Sequence, residues 1–354
     1  MYAARDTVSS GIIQYTVCKQ YTIRNTDSGH MSILVTGGAG FIGSCIVRSL
    51  NDRGRYDLII SDNTAGNEKW RNLSPHRFLS YIPKGELTGS LVSGSLGNIK
   101  AVIHMGACSS TTVTDWDYLY HNNFEYTRSL WEYCASHDIP FIYASSAATY
   151  GDGSKGFDDE CDIGDLKPLN AYGRSKQMFD LWARDEAKTM PPQHVGLKFF
   201  NVYGPNEYFK GTMASMVYHG YKQIRETGRM KLFRSYNPKY EDGGQLRDFI
   251  YVMDICDVVL WFIDHPDVSG LYNVGTGRAS SFRELAETTF SALGLTPAIE
   301  YIDMPDSIRP QYQYFTQASI AKLRAVGYDK PFTPPGEGMR EYVKEYLDKG
   351  FKIY

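Results

Sequence analysis

The sequence has no long apolar run. No uninterrupted stretch approaches the roughly 18 residues needed to span a bilayer, which argues against a membrane-embedded chain. A basic excess is missing too: 37 Lys and Arg face 40 Asp and Glu, for a formal net charge of -3. Nucleic acid or an anionic membrane as main partner would favour a strongly basic surface, so neither is expected. The six cysteines (Cys18, Cys45, Cys108, Cys134, Cys161, Cys256) form no Cys-x-x-Cys pair, and the eight histidines show no i, i+4 pair. A disulfide framework, a zinc site and metal catalysis therefore have no support, and reduced thiols of a cytoplasmic protein are the plainer reading.

With those classes set aside, 354 residues, 42% of them hydrophobic, suffice for one large α/β unit or two domains. Residues 1–30 are polar and irregular and lack the apolar core of a secretory signal; they read as an N-terminal extension, expected to be disordered. The folded part is expected to begin at Met31. Candidate strands are 33–36, 58–61, 101–104, 141–145, 196–200 and 271–274, with helical spacing over 41–52, 124–136 and 175–188. Strands alternating with helices predict a Rossmann-type, doubly wound parallel sheet covered on both faces. From about Val202 the chain is richer in loops, Tyr and Pro, which predicts a smaller C-terminal α/β lobe over the carboxyl edge of the sheet.

Thr36-Gly37-Gly38-Ala39-Gly40-Phe41-Ile42-Gly43 follows the first strand and opens the first helix. The glycines Gly37, Gly40 and Gly43 allow a tight turn and close approach of backbone to a pyrophosphate, whose charge the helix N-terminus stabilises. The second strand ends at Asp62-Asn63, where a carboxylate often holds the adenosine ribose and favours NAD. Lys69 and Lys84 lie close enough in sequence to meet a 2′-phosphate instead. On these residues alone the form of the cofactor stays open.

A strand running into Ser146 precedes Tyr172-Gly-Arg-Ser-Lys176, whose i to i+4 spacing puts Tyr172 and Lys176 on one helical face. A phenol is a poor base at neutral pH. A neighbouring ammonium and a positive nicotinamide ring would bring it toward the working range, while Ser146 orients the substrate oxygen. This is the pattern of alcohol oxidation and ketone reduction.

These motifs, with Phe200-Asn201-Val202-Tyr203-Gly204-Pro205 and Arg247-Asp248-Phe249-Ile250-Tyr251-Val252, resemble the extended short-chain dehydrogenase/reductase superfamily. Narrower segments are similar to the ADP-L-glycero-D-manno-heptose 6-epimerase family: His104-Met105-Gly106-Ala107-Cys108-Ser109, Lys210-Gly211-Thr212-Met213-Ala214-Ser215 and Tyr312-Gln313-Tyr314-Phe315. The resemblance runs from about Met31 to near the C-terminus. It implies epimerisation at C6 of an ADP-heptose by a homo-oligomer with bound NADP, through a 6-keto sugar whose hydride returns to the opposite face. The ketone oxygen then points elsewhere, so a second acid/base group is needed, and the resemblance places it at Lys210.

By the same resemblance Phe41, Ile42, Asp62, Asn63, Lys69, Lys84, Met105, Gly106, Ala107, Cys108, Ser109, Asn122, Tyr172, Lys176, Val202 and Lys210 should meet the cofactor. Asn201, Thr212, His219, Phe233, Arg234, Ser235, Tyr236, Arg247 and Tyr312 should meet the ADP-sugar. Lys69 and Lys84 then become the 2′-phosphate ligands despite Asp62. Met105 stands where the resemblance implies glutamate and Thr212 where it implies serine, and an insertion at 237–245 alters the nucleotide loop. The implied division gives 31–201 and 249–275 to the dinucleotide, and 202–248 and 276–354 to the nucleotide sugar. The rival readings are a UDP-hexose 4-epimerase and a non-catalytic NADPH-binding regulator. A dehydratase would use an Asp-Glu pair after Ser146, where this chain has Ala147-Ala148.

Overall fold

The structure, a computed structural model, describes residues 31–306, 309 and 312–354. The 1–30 extension lies outside the described residues.

Seven parallel strands form the central sheet: β1 (Ser32–Thr36), β2 (Leu58–Asp62), β3 (Ser80–Pro83), β4 (Ile99–His104), β5 (Phe141–Ser146), β6 (His194–Phe199) and, later in the chain, β10 (Gly270–Val274). Their order is β10-β6-β5-β4-β1-β2-β3. All five residues of β1 are buried, as for a strand covered on both faces. The doubly wound parallel sheet expected from the sequence is present.

Helices α1 (Phe41–Asp52), α2 (Lys84–Val92), α3 (Trp116–Leu119), α4 (Tyr126–Ser136), α5 (Ala171–Asp185), α6 (Met216–Thr227), α7 (Val252–Asp264), α8 (Phe282–Ala292), α9 (Ala321–Ala325) and α10 (Pro335–Glu341) complete the fold. On one face α1 and α7 bury Cys45, Ile46, Leu50, Val258, Val259 and Phe262. On the other, α4 and α5 bury Trp131, Phe179 and Trp182 against Phe141 and Tyr143. The carboxyl part contributes two small sheets. One is β11 (Ala279–Ser281), β9 (Leu246–Tyr251) and β7 (Asn201–Tyr203); the other pairs β12 (Ile299–Ile302) with β8 (Met230–Phe233).

Three sequence expectations need correction. Strand β3 was not foreseen, because three of its four residues are only half-buried and the last, Pro83, is exposed, so Ser146 closes the fifth strand of the chain, not the fourth. The helix expected over 175–188 begins at Ala171, capped by the Asn170 side chain on the Gly173 N–H, which puts Tyr172 in its first turn. The helix expected over 124–136 is preceded by a π-helical turn, Tyr120–Glu125, which presents Asn122 and Asn123 to the site. Such turns recur where a helix must aim side chains at function.

Candidate active site

From β1 the chain builds β2 and β3 to one side, then crosses to β4 on the other, leaving a crevice at the carboxyl ends of β1 and β4. Ligands of open α/β sheets bind at such a switch point. The loops after β1 and β4 touch there: a Cβ on Gly37, which has φ +65°, would lie 2.7 Å from the Gly106 nitrogen. A Cβ on Gly43 would lie 2.1 Å from the Gly37 carbonyl oxygen, so only glycine lets α1 pack against the loop. At the start of α1, Gly40 provides no side-chain cap, leaving backbone N–H groups open to an anion. This cradle fits the pyrophosphate of a dinucleotide.

Asp62, buried at the end of β2, accepts three hydrogen bonds. One oxygen accepts the Ala39 N–H at 2.9 Å; the other accepts the Asn63 N–H at 2.7 Å and the Lys69 ammonium at 2.6 Å. Lys84 donates to Asn122 and sits 4.4 Å above the Tyr126 ring; burial pushes its ammonium down, while Asp62 opposes the shift. Lys69 and Lys84 thus both lie near Asp62, but only Lys69 pairs with it.

The buried Asn123, which sequence reasoning passed over, joins three segments of the site. It accepts the Cys108 N–H at 2.8 Å and donates to the Cys108 carbonyl and the Ser175 hydroxyl, each at 3.0 Å. This fixes the 105–109 loop against α5 one residue before Lys176. Ser109 is exposed, and Ala107 and Cys108 are half-buried.

Ser146, Tyr172 and Lys176 are all nearly buried, with Tyr172 and Lys176 one turn apart on α5. Burial pushes the Tyr172 phenol up, and a hydrogen bond with Ser146 draws it back. Lys176 donates to the Ala144 carbonyl at 2.9 Å, and burial lowers its ammonium to about 8. Burial above all, not the ammonium expected to act on the phenol, sets the state of Tyr172 here.

Lys210 lies between the turns Glu207–Phe209 and Gly211–Met213, with its ammonium 5.3 Å above the ring of Phe41 in the glycine loop. Burial pushes Lys210 down and the carboxylate of Glu207 pulls it back up. Glu207 is fully buried and accepts the Ser215 N–H at 2.5 Å and the Ser215 hydroxyl at 2.7 Å, which ties the loop to the start of α6. Asn206 donates to Ser44 in α1, and Asn72 donates to both Ala39 and Asn206. The Lys210 loop is thereby bolted to the glycine loop. Thr212 in the same loop is exposed.

Arg247, nearly buried, places its guanidinium 5.2 Å over Tyr312 and 5.6 Å over Phe282, donating to the Leu246 and Gln313 carbonyls. Phe233 meets Tyr312 edge-on at 6.3 Å. Among the described residues no carboxylate pairs with Arg247, so this buried cation, held by carbonyl groups and aromatic rings, could take an anionic ligand. Asn201 accepts from Thr316 at 3.2 Å and Gln313 reaches the Gly151 carbonyl, linking segment 312–316 to the turn after Ser146. Arg234 and Tyr236 are exposed and turn instead to Asp303; Ser235 bonds Asp242 and Asn237, and His219 packs on Tyr218 in α6. Among the described residues no hydrogen bond, ion pair or ring contact joins these four side chains to Arg247. A separate cavity of about 630 Å³, lined by Trp131, Tyr143, Asp159, Arg184, His194 and Lys322 among others, includes none of the predicted site residues.

A glycine cradle at the switch point and a Ser-Tyr-Lys cluster beside it define a nucleotide-dependent redox enzyme. Residues 33–275 match the NAD dependent epimerase/dehydratase family, to which this chain belongs. The ADP-L-glycero-D-manno-heptose-6-epimerase of Nitratidesulfovibrio vulgaris (strain DP4) is 50% identical over 316 residues, covering 89% of this chain and 97% of that protein. The crystal structure of Helicobacter pylori ADP-L-glycero-D-manno-heptose-6-epimerase superposes with a TM-score of 0.72 at 27% identity, covering 91% of this chain and 99% of that one. The UDP-glucose 4-epimerase of Thermus thermophilus, in complex with NAD, superposes with a TM-score of 0.70 at 26% identity, covering 88% and 98%. The backbone alone therefore does not separate 6- from 4-epimerases; half-identity over nearly the whole heptose enzyme does.

Proposed function

We infer that this chain is an ADP-glyceromanno-heptose 6-epimerase, converting ADP-D-glycero-β-D-manno-heptose to its L-glycero epimer through a transient 6-keto sugar. One observation carries the reading. Two separate proton-transfer groups, Tyr172 on α5 and Lys210 on the loop before α6, belong to segments that both border the glycine cradle, Tyr172 through the Asn123–Ser175 tie and Lys210 over Phe41.

A bound nicotinamide supplies the hydride acceptor, the hydride donor and, when oxidised, a positive ring charge. The chain supplies the rest. One of Tyr172 and Lys210 takes the C6 hydroxyl proton as the C–H bond breaks. After rotation about C5–C6 the other protonates the new alkoxide as hydride arrives on the opposite face. Redox balance is zero over a cycle, but the two residues exchange protonation states and must reset through solvent. Both are suited to this, since burial brings the Lys210 amine toward neutrality and keeps Tyr172 a proton donor. Ser146 orients the oxygen and Lys176 holds positive charge beside it.

NADP is favoured over NAD because two lysines, Lys69 paired with Asp62 and Lys84 close to both, bring positive charge to the end of β2 where a 2′-phosphate would lie. Arg247, Tyr312 and Phe233 form the diphosphate and nucleotide wall, Asn201 and Thr212 border the sugar, and His219 and Arg234–Tyr236 lie farther out. We divide the chain into 31–201 with 249–275 for the dinucleotide and 202–248 with 276–354 for the nucleotide sugar, a reading supported by β10 joining the central sheet while β8 and β12 pair apart from it. Among the described residues no helix is long and apolar enough to cross a membrane. We take the enzyme to work in the cytoplasm as a homo-oligomer. Incubation with ADP-D-glycero-β-D-manno-heptose, followed by NMR of the product, tests the activity: inversion at C6 is expected, and unchanged substrate would refute it.

A further inference from the structure

Beneath the Ser146–Tyr172–Lys176 cluster lies a second layer of charge that neither fold nor sugar chemistry demands. Asp180 is buried on α5, one helical turn beyond Lys176, and Lys198 is buried next to the carboxyl end of β6. Their charged atoms are 3.3 Å apart. A buried ion pair gives back little of its desolvation cost, so it is weak as a stability device. Its contacts point to the site instead.

The Asp180 carboxylate accepts the Ser145 hydroxyl at 2.7 Å and the Tyr143 hydroxyl at 3.1 Å. Between those residues, the Ala144 carbonyl accepts from Lys176. Three successive residues at the end of β5, leading into Ser146, are thus gripped by two side chains of α5. On the far side Lys198 donates to the Thr149 hydroxyl at 2.6 Å, and Thr149 donates to the Ser146 carbonyl at 2.8 Å. Lys198 therefore fixes the turn that follows Ser146.

We propose that Asp180 and Lys198 are positioning residues of the redox site: Asp180 clamps the end of β5 and is the counter-charge of Lys176, while Lys198 anchors Ser146 through Thr149. This rests on reading Ser146, Tyr172 and Lys176 as that site. The groups facing Lys176 are Asp180 from α5, His104 from β4 and Cys108 from the following loop, with Tyr172 one turn earlier on the same helix. Those facing Asp180 are Lys198 from β6, Tyr143 from β5, and Tyr150 and Tyr172. Asp180 is the carboxylate in the set, and it holds Lys176 up against its burial.

The test uses charge sign, which a merely structural role would not read. In full-length enzyme with its cofactor, the Lys176 ammonium is titrated by NMR after ¹⁵N-lysine labelling, assigned with Lys176→Met. Asp180→Asn should lower that titration by about 1 unit or more, and the alkaline limb of the turnover profile should fall with it. Lys198→Met, which leaves Asp180 uncompensated, should move both upward. The double variant removes both charges of the ion pair and keeps the net buried charge of the parent, so it is the variant to use if either single one fails to fold, and it should lower the Lys176 titration in the same direction as Asp180→Asn. Ser145→Ala should cut turnover several-fold with the limb unmoved. A Lys176 titration unchanged in Asp180→Asn and in the double variant would overturn the counter-charge; full turnover in Ser145→Ala would overturn the clamp. The titration needs no substrate, so a parent enzyme inert on ADP-heptose would sink the function and still leave this proposal judged.

Discussion

Replacing Lys69 by alanine separates two roles that Asp62 could play. Lys69 is 26% exposed and its ammonium lies 2.6 Å from Asp62, which also accepts the Ala39 N–H of the glycine loop and the N–H of Asn63. If Lys69 serves the 2′-phosphate of NADP, its loss removes one charge-assisted contact, worth about 1.5 kcal/mol at the partly exposed end of the range. That is roughly a tenfold weaker affinity for NADP. NAD carries no such phosphate, so its affinity should change little. Asp62→Asn should behave differently: the carboxylate that holds Ala39 is lost, and both cofactors should weaken alike. Calorimetric titration of cofactor-stripped protein with NADP and NAD in parallel reads these ratios. A Lys69→Ala enzyme that loses both cofactors equally, or an Asp62→Asn enzyme that loses NAD alone, would refute the reasoning and return Asp62 to the ribose.

Tyr172→Phe should lower turnover by about 10²- to 10⁴-fold while the cofactor stays bound, as seen by absorbance of the purified protein; unchanged turnover removes Tyr172 from proton transfer. Lys210→Met should slow the reaction from both epimers by about 10²-fold or more; normal rates in either direction would leave Lys210 a loop residue. Gly43→Ala forces a methyl to 2.1 Å from the Gly37 carbonyl, so the loop must shift at about 1–3 kcal/mol, with a lower Tm and less retained cofactor. An alanine enzyme with normal melting and occupancy would mean the loop is looser than described. Turnover should fall as pH rises through about 8, where Lys176 loses its proton, since the charged form is the one that acts and burial has lowered its titration. A rate still rising well above that pH would contradict it.

The central strands and the glycine loop were legible because burial on both faces leaves near-continuous apolar runs and because glycine alone fits the turn. Spacing likewise placed Tyr172 over Lys176. Strand β3 escaped notice because three half-buried residues and an exposed proline carry no apolar run. Lys210 had no local signature: a lysine between two short turns reads as a solvated charge until the fold lays it over Phe41, 169 positions earlier in sequence. Asn123, Asp180 and Glu207 were silent for the same reason, since their value lies in partners far away in sequence. Lys198 was a missed signal. A lone lysine inside Val-Gly-Leu-Lys-Phe-Phe, a strand otherwise fit for full burial, requires a buried partner.

The central claim is that C6 is oxidised and then reduced from the opposite face by one retained hydride. ADP-D-glycero-β-D-manno-heptose carrying deuterium at C6, incubated in ordinary water with the purified enzyme and its bound cofactor, tests it directly. The account predicts the L-glycero epimer with the deuterium still at C6 and no net change in nicotinamide absorbance. Epimer that has exchanged its label with solvent, or labelled sugar returned with C6 unchanged, would contradict it.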